Sequence, residues 1–109
     1  MEKVCETKDI PAGSMRGYTV KGRKILLANV GGNFHAMDAV CSHMQGYLPG
    51  GRLEGKTVTC PVHSSQYDVT TGRVVRNVSW AVKTFTRKSA TDLATFKTEV
   101  KDGSVYVEV

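Results

Sequence analysis

The 109-residue sequence lacks the features that mark several large classes of protein. It has no run of about 18 apolar residues, so we expect no membrane span and no membrane partner. Its start, Met1-Glu2-Lys3-Val4, has no basic segment followed by an apolar one, so we expect no export and a cytoplasmic location. Aromatic residues are few, at 7%, and they do not alternate with basic ones. We therefore expect no nucleic-acid partner.

Long amphipathic helices are also missing from the pattern. Short apolar stretches instead flank glycine-centred turns, which favour antiparallel hairpins because glycine adopts positive φ at little cost. The length fits one domain, residues 1–109. The prediction is an all-β fold, a small antiparallel sandwich or barrel. The turns are Lys21-Gly22-Arg23, Val30-Gly31-Gly32-Asn33, Thr70-Thr71-Gly72 and Asp102-Gly103.

The net charge is +5, from 15 basic and 10 acidic residues. The basic residues are dispersed along the chain, with a mild cluster at Arg87-Lys88. An ordinary solvated surface accounts for such a distribution. An acidic docking partner is the second interpretation.

Cysteine and histidine are scarce, with three of each, yet four of the six fall into two short motifs. The motifs are Cys41-Ser42-His43 and Cys60-Pro61-Val62-His63, and sixteen residues separate His43 from Cys60. Each motif offers one thiol and one imidazole. Two such arms with a loop between them predict a metal site with four ligands: Cys41, His43, Cys60 and His63.

The distribution of ligands bears on which metal binds. Zinc sites usually pair like with like, Cys-x-x-Cys and then His-x-x-x-His, whereas each arm here is mixed. Two irons bridged by two sulfides suit mixed arms, because each arm can send its cysteine to one iron and its histidine to the other. A structural zinc module remains the alternative.

The motif Cys-x-His, sixteen residues, Cys-x-x-His resembles the cluster signature of the Rieske 2Fe–2S family, and the resemblance covers the chain from about Ile25 onward. It implies one Rieske 2Fe–2S cluster and a β base domain with an inserted cluster-binding subdomain, here approximately residues 38–78. Reduction potentials in this family lie at roughly −150 to +300 mV.

The resemblance also assigns groups around the cluster. Respiratory Rieske proteins have a disulfide where this chain has Gly46 and Val62. Respiratory Rieske proteins also have a serine that donates a hydrogen bond to a bridging sulfide and a tyrosine that donates one to a ligand thiolate, whereas dioxygenase-type ferredoxins usually have small residues and phenylalanine there. Ser65 and Tyr67 occupy those positions, so the sequence is a hybrid of the two groups. Both residues are expected to raise the potential, with loop polarity and packing as the alternative role. Ser64 departs from the pattern, since family members usually have glycine there.

Other residues receive more ordinary interpretations. Cys5 is expected to be a small apolar residue of a strand, and His35 a strand histidine on the face opposite Phe34 and Ala36. The stretch 79–92 is longer than in small Rieske ferredoxins, and it lacks their usual proline in the loop over the cluster. Its Trp80 is expected in the base-domain core, with cover of the cluster as the alternative.

The resemblance implies an electron-transfer protein and not an enzyme. The chain would carry single electrons from a reductase to a terminal oxygenase or another redox enzyme, as a monomer, with partners docking near His43 and His63. The alternative function is a small Rieske subunit of a multi-subunit reductase or oxygenase. The chain has no dinucleotide-binding Gly-x-Gly-x-x-Gly, and only His35 is left for a second iron site, so catalysis by this chain alone is not expected.

Overall fold

A computed structural model describes residues 1–41, 46–62, 64–76 and 91–109. Two predicted ligands, His43 and His63, lie outside the described residues. So do Trp80 and most of the stretch 79–92. Within the described part of the chain, no helix is long and apolar enough to cross a membrane.

The larger of two sheets has six antiparallel strands in the order β1-β10-β9-β4-β3-β2. The predicted turns at Lys21-Gly22, Gly31-Gly32 and Asp102-Gly103 are confirmed, since all six residues have positive φ and each pair joins two paired strands. Two successive positive φ angles match the right-handed twist of the strands. The strands are β1 Glu2–Glu6, β2 Met15–Val20, β3 Arg23–Val30, β4 Asn33–Asp38, β9 Thr95–Lys101 and β10 Ser104–Glu108.

This sheet curls until its two edge strands approach each other. Lys21 Nζ lies 3.5 Å from the Glu2 carboxylate, and Cys5 on β1 lies close enough to Tyr18 on β2 to influence its pKa. Burial and the neighbouring Cys5 thiol raise the pKa of Tyr18 to about 12. The sheet is thus a nearly closed barrel, and the predicted all-β fold is confirmed.

A second sheet lies between β4 and β9 in the sequence, with the order β5-β6-β7-β8. Its strands are β5 Arg52–Glu54, β6 Thr57–Thr59, β7 Gln66–Asp68 and β8 Val74–Arg76. The turn at residues 70–72 is confirmed, because it joins β7 to β8 and Gly72 has a φ of 75°. All four strands fall inside the segment 38–78. The division of 1–109 into a base and an inserted subdomain stays a prediction.

The two sheets enclose two hydrophobic cores that share strand β3. Ile25 and Leu27 point into the barrel, while Leu26 and Ala28 point into the core between the sheets. All four are fully buried, because a strand covered on both faces has no position for a polar side chain. On strand β9, Val100 is 50% exposed, whereas Phe96 and Thr98 on the same face are partly buried.

A short segment before β9 ties the two sheets together. Leu93 N–H donates to Gly72 O at 2.7 Å, and Ala94 O accepts from Asp38 N–H at 3.0 Å. Val74 N–H donates to the Asp92 carboxylate at 2.8 Å. Gly72 is required here, since a Cβ at this position would overlap the Leu93 carbonyl. The segment holds the turn between β7 and β8 against the end of β4.

Candidate metal centre

Two short loops rise from the core between the sheets, and each begins at a predicted cysteine ligand. Cys41 follows β4, and its N–H donates to Gly46 O at 2.8 Å. Cys60 follows β6, and its N–H donates to Ser65 O at 2.7 Å. Each bond closes its loop at the base, so both cysteines stand where the chain leaves a rigid sheet. The loops span 41–46 and 60–65.

The two thiols are brought together and removed from water. Cys41 is 1% exposed and Cys60 is 2% exposed. Burial raises the pKa of the Cys60 thiol, and the charge of Cys41 and a hydrogen bond with it raise this pKa further. Paired thiolates in such a site require a cation, because burial disfavours a charged group without a partner. A metal ion bound by both sulfurs meets that requirement.

A hydroxyl that can donate and a backbone N–H that does donate lie next to the two sulfurs. The Tyr67 hydroxyl lies 3.1 Å from Cys41 Sγ, and the whole Tyr67 side chain is buried. Val62 N–H donates to Cys60 Sγ at 3.4 Å. Donors to a sulfur stabilise it most when it carries negative charge. The site is therefore built to accept thiolates.

The buried hydroxyl of Ser65 is independent evidence that a bound group belongs at this centre. Its side chain is fully buried, and its Oγ has no hydrogen-bond partner among the described residues. A buried hydroxyl without a partner costs roughly 1–3 kcal/mol, so folded proteins rarely keep one. An acceptor supplied by a bound cofactor would satisfy it. The residues present thus fit a cluster with sulfide atoms between the two loops.

Gly46 is a site residue whose steric role the sequence did not reveal. A Cβ at this position would lie 2.6 Å from Cys60 Sγ and 3.1 Å from Val62 Cγ2. Only glycine therefore lets the first loop approach the second. The two loops are held without a disulfide, since none joins any two of Cys5, Cys41 and Cys60.

The backbone of Ser64 shows why members of the family usually have glycine at this position. It has a φ of 63°, in the left-handed region that glycine adopts freely. A serine there costs roughly 1–2 kcal/mol of backbone strain. The sharp bend after His63 thus explains why glycine is usual at this position.

The remaining cysteine and histidine stand apart from this centre. Cys5 is 8% exposed in the barrel core, as predicted, and burial raises the pKa of its thiol. His35 lies in β4, half-buried, in register with Ala28. Among the described residues, no group of three or more His, Cys, Asp or Glu side chains could hold a metal ion.

Comparisons with known proteins agree with this centre. The model of the Rieske [2Fe-2S] domain matches residues 1–105, which extends nearer the start of the chain than the motifs alone indicated. A naphthalene 1,2-dioxygenase ferredoxin component from Pseudomonas aeruginosa is 37% identical over 78 residues, or 71% of this chain and 75% of that protein. Ferredoxin CarAc from Metapseudomonas resinovorans is 30% identical over 106 residues, covering 96% of this chain and 90% of that protein.

Solved structures give the same result. One chain in the complex of reduced oxygenase and oxidized ferredoxin of carbazole 1,9a-dioxygenase superposes with a TM-score of 0.79 at 31% identity. The match covers 96% of this chain and 89% of that one. The chain described here therefore belongs to the Rieske [2Fe-2S] domain family, as an electron-carrying ferredoxin that binds one 2Fe–2S cluster.

Proposed function

We propose that this chain takes single electrons from a reductase and delivers them to a terminal oxygenase that acts on aromatic rings. The similar ferredoxins belong to naphthalene and carbazole dioxygenase systems. One of them was solved in complex with its oxygenase, which supports the same kind of partner here. When bound, the cluster accepts and releases one electron without an open coordination position.

The proposed ligands are Cys41 and Cys60 for one iron and His43 and His63 for the other. The observation that carries this assignment is the pair of buried thiols, with the Tyr67 hydroxyl 3.1 Å from Cys41 Sγ. Both cysteines stand at the first position of a closed loop, and the histidines follow in those same loops. Each imidazole would bind through one ring nitrogen and keep the other free to hold a proton.

Ser65 and Tyr67 complete the proposal as tuning residues. Both side chains are buried; the Tyr67 hydroxyl lies 3.1 Å from Cys41 Sγ, and the Ser65 hydroxyl has no hydrogen-bond partner among the described residues. Each donor stabilises the more negative, reduced state and so raises the potential. We propose a potential above that of four-cysteine clusters, because two neutral imidazoles replace two thiolates.

The proposal extends to location and assembly. We propose a cytoplasmic location, since three cysteines that form no disulfide fit a reducing compartment. We propose a monomer whose partners dock near His43 and His63. A small Rieske subunit within a larger complex stays the alternative. It is less favoured, because two similar ferredoxins match the chain over 75% and 90% of their own length.

The pH dependence of the potential tests the ligand assignment. Reduction adds negative charge beside the imidazoles and raises the pKa of each free N–H, so the reduced state holds protons that the oxidised state has lost. The potential should be flat at low pH and then fall above the oxidised-state pKa. The slope approaches about 59 mV per pH unit for each coupled proton. Voltammetry from about pH 6 to 11 measures this. A constant potential would show that the histidines are not ligands.

A further inference from the structure

The net positive charge of this chain arises in one stretch, although its basic residues occur throughout the sequence. Between Asp68 and Asp92 there are five basic residues and no acidic one. The rest of the chain contains ten basic and ten acidic residues. This stretch therefore accounts for the whole net charge of +5.

The described part of this stretch leads to an exposed edge of the second sheet. Strand β8 is the last strand in the order β5-β6-β7-β8. Arg73 and Arg76 are exposed, and Val75 between them is 56% exposed. We refer to Arg73, Val75 and Arg76 as the β8 edge.

The carboxylates near the β8 edge are engaged by other groups. Glu54 is paired with Arg52 at 2.8 Å, Asp68 is paired with Lys56 at 3.4 Å, and Asp92 accepts the Val74 N–H at 2.8 Å. Within residues 46–62, 64–76 and 91–109, neither Arg73 nor Arg76 forms an ion pair. The edge thus presents two arginines beside an apolar side chain, and the single carboxylate of Asp92 offsets only part of their charge.

The β8 edge also lies close to the metal centre. Arg76 pairs with Gln66, and Gln66 pairs with Thr59 on the next strand. Adjacent strands are about 4.8 Å apart. Thr59 precedes Cys60, and Gln66 follows Ser65, whose carbonyl accepts the Cys60 N–H. Arg76 is therefore about two strand spacings from the chain at Cys60, within reach of a partner that docks at the centre.

We propose that the β8 edge is a docking surface for the acidic face of a redox partner protein. This inference rests on the proposed electron-carrier function and names the chemistry of its partner. Arginine beside an exposed apolar side chain is typical of protein interfaces, whereas nucleic-acid surfaces are more uniformly polar and charged. A positive potential next to the centre also increases the rate of encounter with an acidic partner.

Two small oxidants of opposite charge measure the potential at this surface without a known partner. The reduced, cluster-loaded protein is mixed by stopped flow with hexacyanoferrate(III), an anion, or with tris(phenanthroline)cobalt(III), a cation. Each oxidant takes one electron from the protein. Raising the ionic strength from about 10 to about 500 mM should slow the reaction with the anion and accelerate the reaction with the cation, because salt screens the positive charge of the protein. At low salt, the double variant Arg73→Glu/Arg76→Glu should react about tenfold more slowly with the anion and faster with the cation.

Matched variants separate local charge from other effects. Lys8→Glu/Lys101→Glu changes the net charge equally, but at the end of the barrel where Thr7 N–H bonds to Gly103 O. It should leave both rates nearly unchanged. Arg73→Lys/Arg76→Lys should retain the wild-type rates. A change in the reduction potential of the cluster would change the rates with both oxidants in the same direction. Rate changes of opposite sign therefore identify an effect of local charge.

Three outcomes would overturn the inference. The first is an equal effect of the two charge-reversal pairs, and the second is a loss of cluster in both the Glu and the Lys variants. The third is tight binding of a labelled DNA duplex at about 150 mM salt that Arg73→Glu/Arg76→Glu abolishes, which would assign a nucleic-acid surface. A wild-type protein that holds no reducible cluster would instead contradict the proposed function.

Discussion

Tyr67 is the residue that most directly connects the fold to the chemistry. It lies in the middle of β7, is fully buried, and pairs in register with Val58 on β6. The sheet therefore fixes its ring, and the hydroxyl ends 3.1 Å from Cys41 Sγ. A phenol held this way needs little reorganisation when the charge on the sulfur changes.

Replacing Tyr67 or Ser65 should lower the reduction potential. Tyr67→Phe and Ser65→Ala each remove one donor that favours the reduced state. A hydrogen bond to a charged group contributes about 1.5–3 kcal/mol, and for this couple 59 mV corresponds to about 1.4 kcal/mol. We expect a fall of about 60–130 mV in each variant, measured by voltammetry. Tyr106→Phe, on barrel strand β10, is the control and should keep the wild-type potential.

The unusual backbone of Ser64 gives a stability prediction. Ser64→Gly relieves left-handed strain but adds freedom to the unfolded chain, which costs roughly 0.5–1 kcal/mol. The net expected gain is about 0.5–1 kcal/mol in the free energy of unfolding. Denaturant titration of the loaded protein measures it. Ser14→Gly, where φ is not positive, should lower stability instead. A less stable Ser64→Gly protein would mean that the serine side chain makes a contact that offsets its strain.

At the scale of elements, the two loops work because a sheet supports each of them. The hydrogen bonds from Cys41 N–H to Gly46 O and from Cys60 N–H to Ser65 O extend strand pairing into the loops. Among the described residues, Gly46 of the first loop lies against Cys60 and Val62 of the second. This approach takes the place of the disulfide that respiratory Rieske proteins have at these positions.

A single methyl group should therefore disturb the centre. In Gly46→Ala, the new Cβ would lie 2.6 Å from Cys60 Sγ, so the loops must separate. We expect loss of most bound iron and sulfide, measured by chemical analysis after anaerobic reconstitution. Gly50→Ala is the matched control, because its Cβ would meet only Tyr47 Cδ2 at 3.9 Å. Full cluster content in Gly46→Ala would show that the loops adapt.

The elements themselves differ in how well their sequence predicts them. Hairpins whose turns have two adjacent residues with positive φ can be predicted from glycine in the sequence, as at Gly31-Gly32. Strand β5, Arg52–Glu54, was not predicted, because its three residues carry no pattern of their own and depend on pairing with β6. The burial of Ile25 to Ala28 on both faces likewise requires knowledge of the second sheet.

At the scale of the whole molecule, the three cysteines lie in two different hydrophobic cores, on opposite sides of strand β3. Cys5 lies in the barrel core, and Cys41 and Cys60 lie in the core between the sheets. We expect Cys5→Ser to keep the cluster, with stability lowered by about 1 kcal/mol. Cys41→Ser or Cys60→Ser should abolish it. The visible absorption spectrum of each variant distinguishes these results. Loss of colour in Cys5→Ser would show that the ligands are misassigned.

The cysteine and histidine motifs made the centre predictable, because few chemistries need those residues at that spacing. The sequence also placed Ser65 and Tyr67 near it through the family pattern. It did not reveal the contact at Gly46 or the backbone angle of Ser64. Both depend on how two loops distant in sequence meet in space, and only the packed sheets determine that.

The central claim is that two mixed arms hold one 2Fe–2S cluster with nitrogen ligands on one iron. Electron-nuclear double resonance of the reduced protein tests this most directly, because it counts the nitrogens bound to iron. We predict two strongly coupled nitrogens, and one remaining if His43→Cys keeps its cluster. An iron–sulfur signal without any strongly coupled nitrogen, or stoichiometric zinc in a protein that gives no signal on reduction, would contradict the account.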